Sequence, residues 1–353
     1  MKIKTAIISC GMIANSAHIP AYKYFSEDFC IVAVCDVNEK AAQETAERHG
    51  IERYYTDVDE MLAREKPDLV SVCAPNFLHK ELTEKALLAG ANVLCEKPLT
   101  ASYDDAKYLF ELADERGLLL MACQTMRFTP DRIAAKREID WGTLGEIYYA
   151  EFSRIRRRGI PTWGTFHIKE KNGGGAFIDI GVHMIDSVVW LLGNPKIKSA
   201  SAVCYKNHAN EIGSLKGSGA LTGEVANSRR FDPDEMDVED MCAGSLFFEN
   251  GLCVNFKTAW AANLPEESSV RLSGKRAGLT LPEGVIYSGE NETQELTIRE
   301  DEYANEAFSG HFHIIDNIRE VLLYGEAPIV KPEETLNVCK IIDLIYKSAE
   351  EKK

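Results

Sequence analysis

The first third of the sequence predicts an α/β fold built on a parallel sheet. Short apolar segments alternate there with helix-like segments at a spacing of roughly 30 residues, as in βαβ units. Segments such as 31–35 (IVAVC) and 68–74 (DLVSVCA) are apolar almost throughout, without the alternation of a half-exposed strand. Such strands have both sheet faces covered, which is typical of a parallel sheet between helices.

The individual elements follow from their composition and from the residues that bound them. The predicted strands are 3–8, 31–35, 68–74, 91–95 and 117–123. One helix is predicted directly after residue 14, and three more are predicted at 39–49, 79–89 and 102–116. Gly50 and Gly90 come directly after two of these helices, at the position where glycine commonly ends a helix.

Length and composition indicate a globular protein of about two domains. The 353 residues fit two domains at ~150 residues each, and 45% apolar with 27% charged residues exclude a disordered chain. A net charge of −15 repels phosphate backbones, so no nucleic-acid partner is expected. No apolar stretch approaches the ~18–20 residues of a membrane helix and no leader pattern is seen, so we expect no membrane and a cytoplasmic location.

The ten cysteines predict buried free thiols in a reducing compartment. None belongs to a C-x-x-C pair, and most lie in apolar strand-like runs. A zinc site needs cysteine and histidine ligands close together, and these residues are not clustered along the sequence. We therefore expect no metal.

The turn after the first strand matches a dinucleotide fingerprint in part. In G-x-G-x-x-G/A the first glycine allows a tight turn, the second allows close approach of a pyrophosphate, and the third position packs helix on strand. Gly11 and Ala14 fill the second and third positions, while Ser9 replaces the first glycine. Asp36 ends the second strand and would bind a ribose 2′-hydroxyl while repelling a 2′-phosphate, which favours NAD over NADP. The alternative is an ordinary βαβ turn with a solvated aspartate.

A lysine follows the fourth predicted strand, in Glu96-Lys97-Pro98. Open α/β sheets bind ligands at the carboxyl ends of their strands, so Lys97 is a candidate site residue. The alternative is a surface lysine in a loop.

The second candidate segment begins with three glycines, 173–175, and continues as a helical pattern. Asp179 and His183 have i, i+4 spacing and share a face with Asp186. A carboxylate one turn from an imidazole can hold its tautomer, which suits a general base. A pair on a helix surface would show the same spacing.

Together these residues resemble the Gfo/Idh/MocA oxidoreductase family, named for glucose–fructose oxidoreductase and inositol dehydrogenase. The matching positions are spread over most of the chain: 3–14, Ala74-Pro75-Asn76 with His79, Glu96-Lys97-Pro98, Trp163, 173–186 and the helices of 306–349. Glu-Lys-Pro and the Asp-x-Gly-x-His segment about 80 residues later are specific in combination.

The resemblance implies an α/β Rossmann dinucleotide-binding domain at 1–125 and an α+β domain at 126–353. The second domain would bind substrate, and its open, mostly antiparallel sheet would make the contacts of a homodimer or homotetramer. Strand-like runs from residue 146 onward agree, and Asn250-Gly251 is a hairpin signal. Residues 206–237 are polar and glycine-rich and predict a long loop.

The resemblance also implies hydride transfer between a nicotinamide and a secondary hydroxyl of a sugar, polyol or related carbohydrate. His183 would take the hydroxyl proton, and Asp179 would orient His183 or bind the same hydroxyl. Lys97 would donate to the substrate oxygen and stabilise the charge that develops on it. The family's cofactor contacts correspond here to Gly11, Met12, Ile13, Asp36, Asn76, His79, Glu96 and Lys97, with Gln124 and Trp163 as further candidates at the nicotinamide end.

Two other functions stay open at this point. Some family relatives oxidise a sugar carbon transiently with bound NAD so that a glycosidic bond is eliminated, which makes them hydrolases. A non-catalytic dinucleotide sensor is the second rival, and the presence of Lys97 and His183 disfavours it.

The residues outside these motifs give few clues to the substrate. Arg154, Arg156 and Arg158 share a strand face and could bind a carboxylate or phosphate. They could equally form salt bridges, and the possible partners are Asp237, Glu239 and Asp240. His311 and His313 have no ligand partner nearby in sequence and are expected to be structural.

Overall fold

The computed structural model describes residues 2–209, 231–289, 292–297 and 310–351. They divide into two compact units. Unit one comprises residues 2–125 and 310–336, and unit two comprises 126–209, 231–289, 292–297 and 337–351. The segment 310–336, which the sequence analysis assigns to the second domain, therefore belongs to the first unit.

Unit one contains a six-stranded parallel sheet. Its strands are β1 (Ile3–Ile8), β2 (Phe29–Cys35), β3 (Tyr54–Tyr55), β4 (Leu69–Val72), β5 (Asn92–Cys95) and β6 (Leu120–Ala122). They lie in the order β3-β2-β1-β4-β5-β6. The order reverses between β1 and β4, and the carboxyl ends of strands at such a point form a ligand-binding crevice. The predicted Rossmann fold is confirmed.

The helices of unit one begin and end largely where local sequence directs. They are Ile19–Tyr24, which continues a π-helical turn at Ala14–His18, then Glu39–His49, Val58–Glu65, His79–Leu88, Tyr103–Glu115 and Gly310–Tyr324. The side chains of Asn38, Asp57 and Ser102 each accept a hydrogen bond from a first-turn amide. Gly50 ends its helix in the left-handed region, with φ of 62°.

Unit two contains an eight-stranded open sheet. Its strands are β7 (Ile147–Ile155), β8 (Ile197–Tyr205), β9 (Met241–Phe248), β10 (Cys253–Ala259), β11 (Glu267–Gly274), β12 (Ala277–Leu281), β13 (Val285–Ser288) and β14 (Glu292–Glu295). They lie in the order β14-β13-β12-β11-β7-β10-β9-β8, and only β7 and β10 are parallel neighbours among these described strands. The prediction of a mostly antiparallel sheet is confirmed, including the hairpin at Asn250-Gly251.

The helices of unit two cover the core face of this sheet. They are Pro130–Asp140, Lys169–Asn172, the π-helical turn Phe177–Gly181, Val182–Leu191 and most of Pro332–Glu350. Phe177, Met184 and Val188 are fully buried in one cluster with sheet residues that include Phe152 and Phe256. Of the predicted loop at 206–237, residues 210–230 lie outside the described residues, and the rest holds one short turn, Pro233–Glu235.

One helical stretch in the described chain, Lys169–Leu191, is long and apolar enough to cross a membrane by length and composition. This stretch departs from the expectation that no apolar stretch approaches that length. Within the structure 89% of its most apolar window is buried. This burial is the property of a core helix packed in a globular unit.

Two of the three glycines at 173–175, within this stretch, let the backbone pass close to the Glu239 backbone and the Tyr346 side chain. A Cβ atom on Gly175 would lie 1.9 Å from the carbonyl oxygen of Glu239, and one on Gly174 would lie 2.1 Å from the hydroxyl of Tyr346. The amides of Gly175 and Phe177 donate to the Glu239 carboxylate at 2.8 and 3.0 Å. The glycines are therefore needed for packing, whatever else the segment does.

We expect Gly175→Ala to lower the free energy of unfolding by about 3 kcal/mol, because the added carbon overlaps backbone that cannot move cheaply. Urea-induced unfolding measures the change. The matched control is Gly11→Ala, since a Cβ on Gly11 meets no atom within 4 Å. Equal stability of the two variants would contradict the packing argument.

Candidate functional site

The turn after β1 is held by two polar side chains. Ser9 has φ of 74°, so it adopts the left-handed conformation that the replaced glycine would supply. The amide of Cys10 donates to Asp36 Oδ2 at 2.8 Å, and the side chain of Asn15 donates to the Cys10 carbonyl at 2.8 Å. Asp36 is thereby fixed at the end of β2, and its other oxygen accepts from the Asn38 amide at 2.9 Å.

Gly11 lies where the described protein itself does not require a glycine. Its φ is outside the left-handed region, and an added Cβ would meet nothing within 4 Å. The first helical hydrogen bond runs from the Asn15 amide to the Gly11 carbonyl at 3.2 Å, so the amides of Met12 and Ile13 precede it in the first turn. Open space beside a glycine at a helix N-terminus is what close approach of a phosphate needs. These residues fit a bound dinucleotide.

His79 connects the loops that follow β4 and β5. Its buried ring lies with Nδ1 2.7 Å from the carbonyl oxygen of Pro98 and Nε2 2.8 Å from that of Ala74. Burial lowers the pKa of His79, although both carbonyl contacts favour the protonated ring. His79 therefore supports the loops that carry Asn76 and Lys97.

Glu96 is a buried carboxylate surrounded by donors. Its Oε1 lies 2.9 Å from His18 Nε2 and 3.1 Å from His311 Nε2. The Glu96 carboxylate also accepts a hydrogen bond from the Cys123 thiol. Its Oε2 accepts from the amide of Lys97 at 3.2 Å. Burial alone would raise the pKa of Glu96, but the hydrogen bonds from His18 and His311 hold that pKa well below its usual range. Burial also lowers the pKa of His18.

Two histidines, a cysteine and a glutamate that are far apart along the sequence lie close together in the structure. One ligand atom from each of His18, Glu96, Cys123 and His311 lies within 4.8 Å of the others. Sequence reasoning missed this set because its members are far apart along the chain, and only the parallel sheet and the returning helix Gly310–Tyr324 bring them together.

Asp179 lies in the π-helical turn and His183 in the first turn of the next helix, so both stand on one helical segment of unit two. Trp260, fully buried on the strand end after β10, donates its indole N–H to Asp179 Oδ2 at 2.8 Å. This contact fixes the carboxylate, and π-helical turns are common at functional sites. Sequence reasoning missed Trp260, which carries no local signal.

Asp186 has a different role from the other two predicted members of this face. It forms a bidentate ion pair with Arg127, with Nε–Oδ2 of 2.8 Å and Nη2–Oδ1 of 2.6 Å. Both side chains are buried. The pair holds the helix to the segment that opens unit two.

The arginines at and after the end of β7 contact groups other than the acidic residues suggested as their partners. Arg154 donates to the hydroxyl of Ser268, Arg156 to the Gly159 carbonyl, and Arg158 to the Ala262 carbonyl and the Asn263 side chain. Among the described residues no ion pair joins these arginines to the three carboxylates, which accept backbone amides: Asp237 that of Lys169, Glu239 those of Gly175 and Phe177, and Asp240 those of Asn207 and His208.

Two weaker candidates lie in different surroundings. Gln124 follows β6 in unit one and is buried, and its side-chain oxygen has no hydrogen-bond partner in the described part of the chain. Trp163 lies in a loop of unit two, edge-on to Phe166 at 6.2 Å between ring centroids.

A parallel sheet with a phosphate-compatible turn, followed by a second unit with an open, mostly antiparallel sheet, is the architecture of a two-unit nucleotide-binding protein. The family model "Oxidoreductase family, NAD-binding Rossmann fold" matches residues 3–123, and "Oxidoreductase family, C-terminal alpha/beta domain" matches 136–353. The chain belongs to the Gfo/Idh/MocA oxidoreductase family.

Individual relatives cover almost the whole chain. D-glucoside 3-dehydrogenase of Escherichia coli (strain K12) is 34% identical over 99% of this chain and 95% of its own length. scyllo-Inositol 2-dehydrogenase (NADP(+)) IolW of Bacillus subtilis (strain 168) is 26% identical over 99% and 95%. The WlbA dehydrogenase of Bordetella pertussis, solved with NADH and UDP-GlcNAcA, shares the fold with a TM-score of 0.78 at 23% identity, over 100% and 98% of the two chains.

The burial of His79 predicts a stability change with pH. Its folded-state pKa lies below that of the unfolded chain, so between the two values the unfolded chain binds more protons. The contribution of His79 to the free energy of unfolding is then complete above about pH 6.5 and falls by up to about 1.4 kcal/mol per pH unit below it. We expect His79→Gln to reduce this slope.

Chemical unfolding at several pH values between 7.5 and 5 measures the slope of the free energy of unfolding against pH. This is roughly the range in which histidine titrates. The control is His208→Gln, at a half-buried histidine of unit two, which should leave the slope near that of the unmodified protein. An unchanged slope in His79→Gln would overturn the assignment.

Proposed function

We propose that this protein is an NAD-dependent dehydrogenase that oxidises a secondary hydroxyl of a carbohydrate, and that a D-glucoside is the substrate class. The observation that carries the dehydrogenase proposal is the Asp179–His183 pair on one helical segment, with Asp179 fixed by Trp260. The nearly full-length similarity to a D-glucoside 3-dehydrogenase supports the substrate class.

In the proposed reaction the side chains handle a proton and a developing charge. His183 removes the hydroxyl proton, and Asp179 orients the imidazole or binds the same hydroxyl. Lys97 donates to the substrate oxygen and stabilises its negative charge. The nicotinamide, when bound, supplies the hydride acceptor that no side chain can provide.

The backbone of Lys97 is held by a buried partner, which supports its role. Its amide donates to Glu96 Oε2, and Glu96 is itself held by His18 and His311. A catalytic group needs such support, because a misplacement of about 1 Å can cost a hundredfold in rate.

The proposed cofactor contacts of unit one are Gly11, Met12, Ile13, Asp36, Asn76, His79, Glu96 and Lys97, and that of unit two is Trp163. Asp36 supports NAD over NADP because its carboxylate is fixed at the end of β2 by two backbone amides. The relative from Bacillus subtilis is named for NADP(+), so preference differs among similar proteins and has to be measured.

We further propose a cytoplasmic homo-oligomer, either dimer or tetramer. All ten cysteines are free thiols, which suits a reducing compartment. Val203 and Tyr205 of β8 and Phe247 of β9 are exposed and share the sheet face opposite the core, as their register shows. An apolar sheet face of this kind suits contact with a second copy.

We expect Lys97→Met and His183→Asn each to lower kcat at least about 100-fold while the unfolding midpoint stays near that of the unmodified protein, and we expect His183→Asn to leave NAD binding unchanged. The assay follows NADH formation with D-glucosides, free sugars and polyols. The matched controls are Lys107→Met and His208→Asn, which change the same residue types outside the proposed machinery. Full turnover in either Lys97 or His183 variant would remove the mechanism.

The same assay with aryl glycosides distinguishes the hydrolase. Release of the aglycone without NADH accumulation would replace the dehydrogenase with an enzyme that regenerates NAD in each turnover. NADH accumulation that matches oxidised sugar supports the proposal.

We expect Asp36→Asn to lower the ratio of kcat/KM for NAD to that for NADP by about tenfold or more, because it removes the charge that repels a 2′-phosphate. Asparagine keeps one oxygen that can accept from the Cys10 amide but loses the oxygen that accepts from the Asn38 amide, so the unfolding midpoint of the variant is measured alongside its rates. Initial rates with both cofactors give the ratio. An unchanged ratio would mean that another residue selects the ribose.

A further inference from the structure

Four potential metal ligands meet in unit one without any local sequence signal. His18 comes from the helical turn after β1, Glu96 follows β5, Cys123 follows β6, and His311 lies on the helix Gly310–Tyr324. Their ligand atoms lie within 4.8 Å of one another, and two of these separations are 2.9 and 3.1 Å. Ligand atoms around a tetrahedral zinc ion lie about 3.3–3.8 Å apart, given Zn–N of about 2.0 Å and Zn–S of about 2.3 Å.

The types of ligand atom that these four side chains offer indicate which metal ions they would bind. Two imidazoles, a thiol and a single carboxylate are ligands of zinc and similar divalent transition metals, whereas calcium and magnesium prefer oxygen donors throughout. Four protein ligands close a tetrahedral site, which is the arrangement of a structural zinc ion rather than a catalytic one.

Two buried hydroxyl groups hold one of the imidazoles in an orientation that a metal can use. His18 Nδ1 lies 3.2 Å from the hydroxyl of Ser71, which lies 2.7 Å from the hydroxyl of Tyr22. Both hydroxyls can donate or accept, so Ser71 can accept from a protonated Nδ1 and leave Nε2 to bind a metal. All three groups are buried.

One of the four ligands is partly exposed to solvent. Three of the ligands are buried, but the side chain of His311 is 16% exposed. His311 can therefore meet an incoming ion before the buried ligands close around it.

We propose that His18, Glu96, Cys123 and His311 bind one Zn²⁺ ion, which fastens the helix Gly310–Tyr324 to the carboxyl ends of β5 and β6. On binding, the metal replaces the hydrogen bonds that Glu96 accepts from His18, His311 and Cys123, while Oε2 keeps that from the Lys97 amide. Each neutral imidazole moves its proton from Nε2 to Nδ1, and the Cys123 thiol loses its proton to solvent, so one proton is released per ion. The inference depends on unit one alone and stands whether or not the proposed dehydrogenase activity is found.

Cobalt provides the direct test, because Co²⁺ occupies tetrahedral zinc sites and is coloured. Full-length protein, treated with chelator and free of nucleotide, is titrated with Co²⁺ and then with Zn²⁺. We expect one equivalent of Co²⁺ to give tetrahedral ligand-field bands and a thiolate-to-cobalt charge-transfer band, and Zn²⁺ to abolish both. A hundredfold excess of Zn²⁺ over its Kd should raise the unfolding midpoint by about 5 °C.

Two variants separate a metal site from a network of hydrogen bonds. Cys123→Ser and His311→Gln each keep a donor for Glu96 but remove a good metal ligand. We expect both to weaken Zn²⁺ binding at least about tenfold, and Cys123→Ser to abolish the charge-transfer band, with little change in the metal-free unfolding midpoint. Cys30→Ser, which removes an exposed thiol, is the matched control and should bind as the unmodified protein does.

Three results would overturn the proposal. The first is the absence of stoichiometric Co²⁺ or Zn²⁺ binding to the folded, unmodified protein, which needs no variant. The second is a charge-transfer band that persists in Cys123→Ser, and the third is a band lost in Cys30→Ser. The first result would leave the four residues as a hydrogen-bonded network around a buried carboxylate.

Discussion

The arrangement of unit one depends on the partners that compensate the buried charge of Glu96. An ionised carboxylate removed from water is stable only with close partners, and loss of one partner leaves an uncompensated buried charge. The partners of Glu96 are His18, Cys123 and His311, which come from the two ends of unit one's chain and from its middle. The same carboxylate accepts the Lys97 amide, so the need to satisfy a charge also determines where the backbone of the candidate lysine lies.

Unit two uses the same device at a different loop. Glu239 is buried, which raises its pKa, and the amides of Gly175 and Phe177 with the hydroxyl of Tyr346 favour its ionised form. These amides belong to the turn that leads directly into Asp179. In each unit a buried glutamate therefore orders the backbone beside a candidate catalytic residue, and the energy needed for precise positioning is supplied by the fold before any ligand binds.

The limits of prediction from the sequence follow from the range of the interactions involved. The parallel strands and the Gly50 cap rest on local patterns, and they were predicted. The Glu96 contacts with His18 and His311 span 78 and 215 residues, and Trp260 reaches Asp179 across 81. Such pairs leave no local periodicity, so the sequence predicts candidate ligands and bases but not what holds them. The left-handed conformation of Ser9 was also not predicted, because nothing in the sequence marks a serine that adopts a positive φ.

Gly11 and Gly175 show how packing and function can be separated in such a site. At Gly175 the protein's own atoms exclude a side chain, since an added carbon would overlap the Glu239 backbone. At Gly11 nothing in the described protein excludes one, and the backbone is not left-handed. Stability of the free chain therefore accounts for the first glycine but not for the second. A requirement for glycine at position 11 has to come from a molecule that approaches the turn, and the amides that open the helix make an anionic group such as a pyrophosphate the natural one.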